Sequence, residues 1–281
     1  MPLSRATPTP LSTPGTAAPT THDRAAATAG GRRHTLIPIH LILGPTGVGK
    51  TGRSVTLARR HNSPVLVLDR VQCHPQLAVG SGRPTHDELQ DTVRYYPTER
   101  PVHHGVITAG DAVDRLVHHR KMLADSGADR LILEGGSISI LAELLTRGDW
   151  FEDATVAVEC WLESNASAYE ARVEQRVEQM LGYGDVTGRT LTDELADLWP
   201  IAEARPRLYN IAGYREVIDL CAAEGLDPMH LRGLAARLRR ARFAPAIRDA
   251  HLDYARRQRL ALAAALPELA ERGFGVTLCE I

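Results

Sequence analysis

Gly44-Pro-Thr-Gly-Val-Gly49-Lys50-Thr51 follows directly on the apolar run Leu36–Leu43 and opens a stretch of helical character. The spacing G-x-x-x-x-G-K-[ST], set between a buried strand and a helix, constrains the fold more than any other feature of the chain. Gly44, Gly47 and Gly49 let successive backbone N–H groups converge on phosphate oxygens, and the helix N-terminus adds partial positive charge. Lys50 supplies a compact cation, and the Thr51 hydroxyl suits a Mg²⁺ ion. The motif specifies a polyphosphate without saying which one: ATP hydrolysis, phosphoryl transfer and any reaction of a diphosphate ester all fit it. Of the 33 basic residues only two, Lys50 and Lys121, are lysine. In so arginine-biased a chain, a lysine in the cradle marks a place where arginine fits poorly.

Val65–Leu68 reads as a second buried strand, Leu131–Leu133 as a third and Ala154–Leu162 as a fourth, with helical patterns between them, notably Asp111–Asp125. Strands alternating with helices imply a parallel sheet. After Ser164 the character changes, and Ala166–Leu181, Thr190–Leu198, Tyr214–Ala223, His230–Arg242 and Ala246–Leu266 all look helical. The expected fold is therefore α/β: a P-loop NTPase-like parallel sheet flanked by helices over residues 36–164, with a helical C-terminal region, 165–281, completing the pocket. Residues 1–35 are rich in Ala, Thr, Pro and Ser and read as a disordered extension; their arginines and single acid leave a transit peptide as the other reading.

The 281 residues suffice for one generous core, or one core and a small satellite. A formal net charge of −1 gives no global basic field to draw in nucleic acid. The four cysteines form no CxxC pair, which argues against a zinc site or a disulfide framework and fits a reducing cytosol. No apolar run approaches the length of a membrane span. A cytoplasmic monomer is the expectation.

Ligands of open α/β sheets bind beyond the carboxyl ends of the strands, where Asp69 and Glu134 both fall. From position alone Asp69 has three jobs open to it: Mg²⁺ ligand, general base or structural hydrogen-bond acceptor. Glu134, in Leu-Glu-Gly-Gly-Ser, resembles a Walker B acid that holds metal-bound water, with Gly135 and Gly136 letting a loop approach a ligand. Arg172 and Arg176 lie one turn apart on a helix face with no acid at i±3 or i±4, because Glu170, Glu174 and Glu178 form their own column. Stacked like charges call for a counterion, and guanidinium forks suit phosphate. The pairs His103-His104 and His118-His119 lack supporting metal ligands at suitable spacing and read as surface or packing residues.

Taken together, GPTGVGKT, LDRVQCHPQLAVGSGRPT and LILEGGSISIL resemble, in order and spacing, the adenylate dimethylallyltransferases, the isopentenyltransferases that make cytokinins. The resemblance runs from about Leu41 to Tyr254. It implies that the cradle holds the diphosphate of dimethylallyl diphosphate as a leaving group, with Mg²⁺ as cofactor, and that the N6 amine of AMP is the acceptor. By the same resemblance Asp69 is the general base, and Thr46 orients Asp69 or the leaving oxygen. Ser81 touches substrate, Arg83 lies near phosphate, and Arg176 in Arg-Val-x-x-Met binds diphosphate with Arg172 beside it. The chain departs from the family at two places. Asn210-Ile211-Ala212-Gly213-Tyr214-Arg215 stands where members often read Asp-Ile-Asp-Gly-Tyr-Arg, and His251-Leu252-Asp253-Tyr254 stands against Tyr-x-x-His. Asn210, Ala212 and Tyr254 are the substrate contacts so altered. Ala212 and Tyr254 replace the polar pair that lines the prenyl pocket in members preferring a hydroxylated donor, so the plain dimethylallyl chain is expected here.

A tRNA dimethylallyltransferase would run the same chemistry. Its class tends toward Asp-Ser-x-Gln and Gly-Thr-Ala-Lys-Pro where this chain has DRVQ and GSGRP, and the stretch from Leu141 to Arg172 looks short for an inserted tRNA-gripping domain. Ala212–Glu216 and the arginine-dense region Arg232–Arg259 lean the other way. A P-loop small-molecule kinase gives GSGRP no job, and a non-catalytic nucleotide-binding regulator gives Asp69 and the paired arginines none. AMP is the expected acceptor, and tRNA is not expected to bind.

Overall fold

Short runs of Leu, Ile and Val bounded by Gly, Pro or Asp fold as strands covered on both faces, the usual state of a parallel sheet. In the computed structural model, which describes residues 37–148, 150, 154–182 and 188–280, these runs are Ile39–Leu43 (β1), Val65–Leu68 (β2), Leu131–Gly135 (β4) and Val156–Leu162 (β5). Two further strands, Arg94–Tyr95 (β3) and Gly275–Glu280 (β6), complete an all-parallel sheet of order β3-β2-β4-β1-β5-β6. Every residue of β2 and β4 is buried, and each fully covered Leu or Ile contributes about 2 kcal/mol. Residues 1–35, expected as a disordered extension, lie outside the described residues.

Helices cover both faces: Lys50–His61 (α1), His86–Leu89 (α2), Ala109–Asp125 (α3) and Ile138–Arg147 (α4), then Ala166–Met180 (α5), Leu191–Leu198 (α6), Arg205–Leu208 (α7), Tyr214–Ala223 (α8) and Ala236–Glu271 (α9). The Thr108 hydroxyl caps α3 by accepting the Asp111 amide at 3.1 Å, and the Asn165 side chain caps α5 through the Ala168 amide at 3.0 Å. Among the described residues no helix is long and apolar enough to cross a membrane.

Two expectations are corrected here. The C-terminal region is not wholly helical, because β6 pairs in register with β5 along the open edge of the sheet. And His230–Arg242 with Ala246–Leu266 are not two helices; one 36-residue helix, about 54 Å long, runs through Pro245 and Pro267. Each proline removes one donor, from the carbonyls of Ala241 and Ala263. Both of those residues are exposed, so their carbonyls face solvent rather than the core. The length of α9 ties the protein together. Leu262, Ala265 and Leu269 pack in the core around the sheet, whereas Phe243, Ile247 and Ala255 pack in a second core with α5, α6 and α8. Thr35–Ile281 is accordingly one compact unit.

Candidate active site

The strand register fixes the outline of the site. Leu43, Gly135 and Leu68 lie level on β1, β4 and β2, so the loop after β1, Glu134 and Asp69 emerge at the same edge of the sheet. Adjacent parallel strands are about 4.8 Å apart, which sets the β1 and β2 ends about 10 Å from each other with β4 between. Over that gap lies a cavity of about 560 Å³, within the range of small-molecule sites. Thr46, Gly47, Gly49, Lys50 and Thr51 line it from one side, and Asp69 and Ser81 from another. Arg172 and Arg176 enter from α5, Asn210 and Ala212 from the turn before α8, and Tyr254 from α9.

The cradle has the backbone its sequence demands. Gly47 and Gly49 sit at φ +79° and +86°, in the left-handed region that glycine enters without strain. The half-buried Lys50 donates its ammonium to the Pro45 carbonyl at 2.6 Å. Burial lowers the Lys50 pKa, and the carboxylates of Glu134 and Asp69 pull it back up. Gly44 does not line the cavity. It lies behind the loop, where a Cβ on Gly136 would come within 2.5 Å of the Gly44 carbonyl oxygen, so the Gly135-Gly136 pair permits close backbone approach while both glycines line the cavity.

Asp69 ends β2 and turns back on its own chain. Its Oδ1 accepts the amides of Val71 at 2.8 Å and Gln72 at 3.1 Å, which fixes the plane of the carboxylate. Burial raises the Asp69 pKa above the usual carboxylate value, while those amides and Lys50 oppose the rise. Glu134 is paired: its carboxylate meets the Arg94 guanidinium, and both side chains are almost fully covered. Arg94 also donates to Ser54 Oγ at 3.3 Å. The two-residue strand β3 thus delivers a charge partner for Glu134 that no motif announced.

On α5 the expected sorting of charges is present. Arg240 on α9 pairs with Glu178, and Arg248 pairs with its neighbour Asp249, with Glu174 and Glu170 of α5 adding smaller attractions. That leaves the other face of α5 to the cavity. There Nε and Nη2 of Arg172 are sheltered from solvent and have no hydrogen-bond partner among the described residues, and sheltered guanidinium donors left unpaired are costly without an anion. Arg176 donates to Gln179 at 3.0 Å and lies against the Ser81-Gly82 turn, with a nitrogen 3.4 Å from where a Gly82 Cβ would stand.

Arg83 does not follow the expectation that it lies near phosphate. Its guanidinium pairs with Glu99, covers the Tyr96 ring at 3.8 Å and donates to the Gln72 carbonyl at 3.4 Å, and it does not line the cavity. Thr46 has no hydrogen bond to Asp69. Its backbone is gripped instead, the amide by Gln258 Oε1 at 2.8 Å and the carbonyl by the Tyr169 hydroxyl at 2.7 Å. Gln258 also donates to the Gly136 carbonyl at 2.7 Å. Neither Gln258 nor Tyr169 was singled out in the sequence. Asn210 sits exposed at the rim and donates to the Pro206 carbonyl at 2.7 Å. Tyr254 lies beside Asp69, whose charge adds to burial in pushing the phenol up to about 12. One turn earlier, His251 also lines the cavity, and its Nε2 is sheltered and unpaired. Burial, assisted by Arg176, drops its pKa to about 4, so the imidazole is neutral near pH 7. His103 and His104 meet edge-to-face with ring centres 4.4 Å apart, and His119 packs at a tilt against Tyr95 at 5.4 Å; none of them lines the cavity.

A cradle and a strand-end carboxylate facing one cavity is the arrangement of a group-transfer site on a diphosphate. The isopentenyl transferase family pattern matches residues 37–272. The chain belongs to the isopentenyl transferase family. It is 35% identical over 243 residues to the adenylate dimethylallyltransferase of Agrobacterium tumefaciens strain T37, covering 86% of this chain and 97% of that one. To the adenylate dimethylallyltransferase of Agrobacterium vitis it is 38% identical over 220 residues, 78% of this chain and 90% of that one. Among solved structures, the tRNA isopentenylpyrophosphate transferase of Bacillus halodurans superposes with a TM-score of 0.63 at 16% identity, over 87% of this chain and 90% of that one. That likeness shows the shared fold of this isopentenyl transferase and nothing of its acceptor.

Proposed function

We propose that this prenyltransferase moves the dimethylallyl group of dimethylallyl diphosphate onto the N6 amine of AMP, releasing diphosphate, as a cytoplasmic monomer. The single observation that carries the reading is that the Lys50 cradle and the Asp69 carboxylate face one cavity from opposite sides of the β4 end. In the transfer the allylic C–O bond breaks, the electron pair leaves with the diphosphate, and a C–N bond forms to the adenine amine. The amine nitrogen is a poor nucleophile because its lone pair is delocalised into the ring. Asp69 accepts its proton as the bond forms; Oδ1 is held by two amides, so Oδ2 is the base. Lys50, the cradle amides, Arg172 and Arg176 take up the negative charge that grows on the diphosphate.

The donor set suits a magnesium ion: the Thr51 hydroxyl and the side chain of Glu134, which is paired with Arg94, lie at the cradle side of the cavity. Among the described residues no group of three or more His, Cys, Asp or Glu forms a cage, which matches an ion held mainly by substrate phosphate and water. Mg²⁺ would neutralise the departing diphosphate. Among the described residues six cationic side chains, Lys50, Arg70, Arg172, Arg176, Arg215 and Arg257, line the cavity against three acids, Asp69, Glu88 and Glu134. That excess suits two phosphate-bearing substrates bound together.

The relatives named adenylate dimethylallyltransferase favour AMP over tRNA. So does the surface of α9. Arg240, Arg242, Arg248, Arg256 and Arg259 on this helix, and Arg232 just before it, are each paired with an acid, which leaves little of the arginine-dense region for a phosphate backbone. Incubation with Mg²⁺, dimethylallyl diphosphate and, in turn, AMP, ADP, ATP and unmodified tRNA tests the proposal. Prenylated AMP is the expected product. Prenylated tRNA without prenylated AMP would replace the reading, as would phosphoryl transfer from ATP.

The same assay addresses the donor. Ala212 offers no hydrogen bond where members preferring the hydroxylated chain have a carboxylate, so the plain donor is expected to have the higher kcat/KM by several-fold. A higher kcat/KM for the hydroxylated donor contradicts that assignment.

A further inference from the structure

The helical region carries a buried carboxylate with no role in the chemistry above. Glu194 lies in the first turn of α6, 1% exposed, and reaches across to the loop after β2. Its Oε1 accepts the Val79 amide at 2.9 Å, and its Oε2 accepts the Gly80 amide at 3.0 Å and the Tyr214 hydroxyl at 2.5 Å. Those amides belong to the turn that presents Ser81 to the cavity, where the Ser81 amide donates to the Leu77 carbonyl at 2.8 Å and its hydroxyl makes a long bond, 3.4 Å, to the Ala78 carbonyl. Tyr214, fully buried at the start of α8, packs so closely that a Cβ on Gly80 would fall 2.3 Å from its hydroxyl oxygen. Glycine at position 80 is therefore a requirement of this contact.

A carboxylate is an expensive group to bury, and here every bond it makes goes to the loop or to the tyrosine wedged against it. The site around it has no opening to the cavity, because Glu194 is not among the lining residues while Gly80, Ser81 and Gly82 are. We infer that Glu194 is a positioning residue: with Tyr214 it pins the Val79–Gly82 turn from behind and so sets Ser81 where the acceptor nucleotide docks. Acceptor recognition then depends on the helical region even though the reacting groups stand at the sheet edge. The inference rests on the proposed transfer to AMP and on Ser81 as a contact of that substrate.

Glu194→Gln keeps the volume and replaces one acceptor oxygen by a donor that faces an N–H. Its expected effect is a loss of about tenfold to a hundredfold in kcat/KM for AMP, the scale of a hydrogen bond to a charged group. The KM for AMP rises by much more than the affinity for inorganic diphosphate with Mg²⁺ falls, since the cradle hangs from β1, Tyr169 and Gln258 and only Arg176 of the diphosphate groups lies against the turn. Tyr214→Phe, which leaves the carboxylate its two amides, gives a smaller loss in the same direction. The decisive comparison is a cycle with Ser81→Ala: in that background Glu194→Gln costs little further, because both changes remove the same contact. Equal losses with and without Ser81, accompanied by weaker diphosphate binding, overturn the inference and make Glu194 a general support of the fold. Wild-type protein that prenylates AMP while Glu194→Gln matches its rate overturns the inference alone; wild-type protein that makes no prenylated AMP overturns the proposed function and the inference with it.

Discussion

Replacing Asp69 with asparagine lowers kcat by about 10²- to 10⁴-fold, the usual worth of a positioned general base. The substitution is nearly isosteric. An asparagine Oδ1 still accepts the Val71 and Gln72 amides that hold the side chain at 2.8 and 3.1 Å, so the turn after β2 keeps its form. What is lost is the acceptor for the amine proton. Binding of diphosphate at the Lys50 loop changes little, because no phosphate ligand is removed. Turnover in the variant is measured by prenylated-AMP formation, and the affinity for diphosphate by calorimetry. A variant that retains more than about a tenth of wild-type kcat excludes Asp69 as the base.

The pH dependence carries a second signature of the same group. Burial raises the Asp69 pKa in the folded protein, and the base is competent only when ionised. Activity therefore falls as pH is lowered through that raised value, at a pH above the range of an exposed aspartate. The limb on the acid side of kcat/KM is absent in Asp69→Asn, whose residual rate is flat there. Lys50 and Glu134 lie in the electrostatic surroundings of Asp69 and shift the limb in opposite senses, the cation downward and the carboxylate upward.

The parts of the site legible in the sequence are those fixed by local chain geometry. The cradle is a contiguous motif, and Asp69 and Glu134 are read from their place at strand ends, so both survive translation into three dimensions. Arg172 and Arg176 were legible because a helix face can be computed from spacing. What sequence spacing does not contain is contact between distant segments. Gln258 reaches Thr46 across 212 positions, Glu194 reaches Gly80 across 114, and Tyr169 reaches Thr46 across 123. Arg94 is not legible in the sequence because a two-residue strand has no periodicity, yet it is the ion-pair partner of Glu134. β6 escaped because an edge strand with most of its residues exposed shows no alternation. Arg83 misled for the opposite reason: its motif position pointed to phosphate, while Glu99 and the Tyr96 ring offered a nearer partner. The join between His230–Arg242 and Ala246–Leu266 is not legible because Pro245, though it costs the helix a hydrogen bond, orphans a carbonyl that is exposed to solvent.

Lys50→Met lowers kcat/KM for the donor by about 10²- to 10³-fold, comparable with removing one preorganised donor from a developing anion. The more informative change is Lys50→Arg, which keeps the charge. The Lys50 ammonium is half-buried, donates to the Pro45 carbonyl at 2.6 Å and stands among Asp69, Glu134 and Arg94. A planar guanidinium with donors fixed in a fork cannot make that short bond to Pro45 and also point at a phosphate oxygen. Its extra length pushes toward Asp69, where it would pair with the base. Lys50→Arg is therefore expected to lose roughly a hundredfold, the cost of misplacing a catalytic charge by an ångström or so. The KM for AMP stays near wild type in both variants, since the acceptor lies on the Asp69 side. Rates with dimethylallyl diphosphate varied and AMP saturating decide the matter. An arginine variant with wild-type kcat/KM would mean that position 50 needs only a positive charge, and that the scarcity of lysine elsewhere in the chain says nothing about this loop.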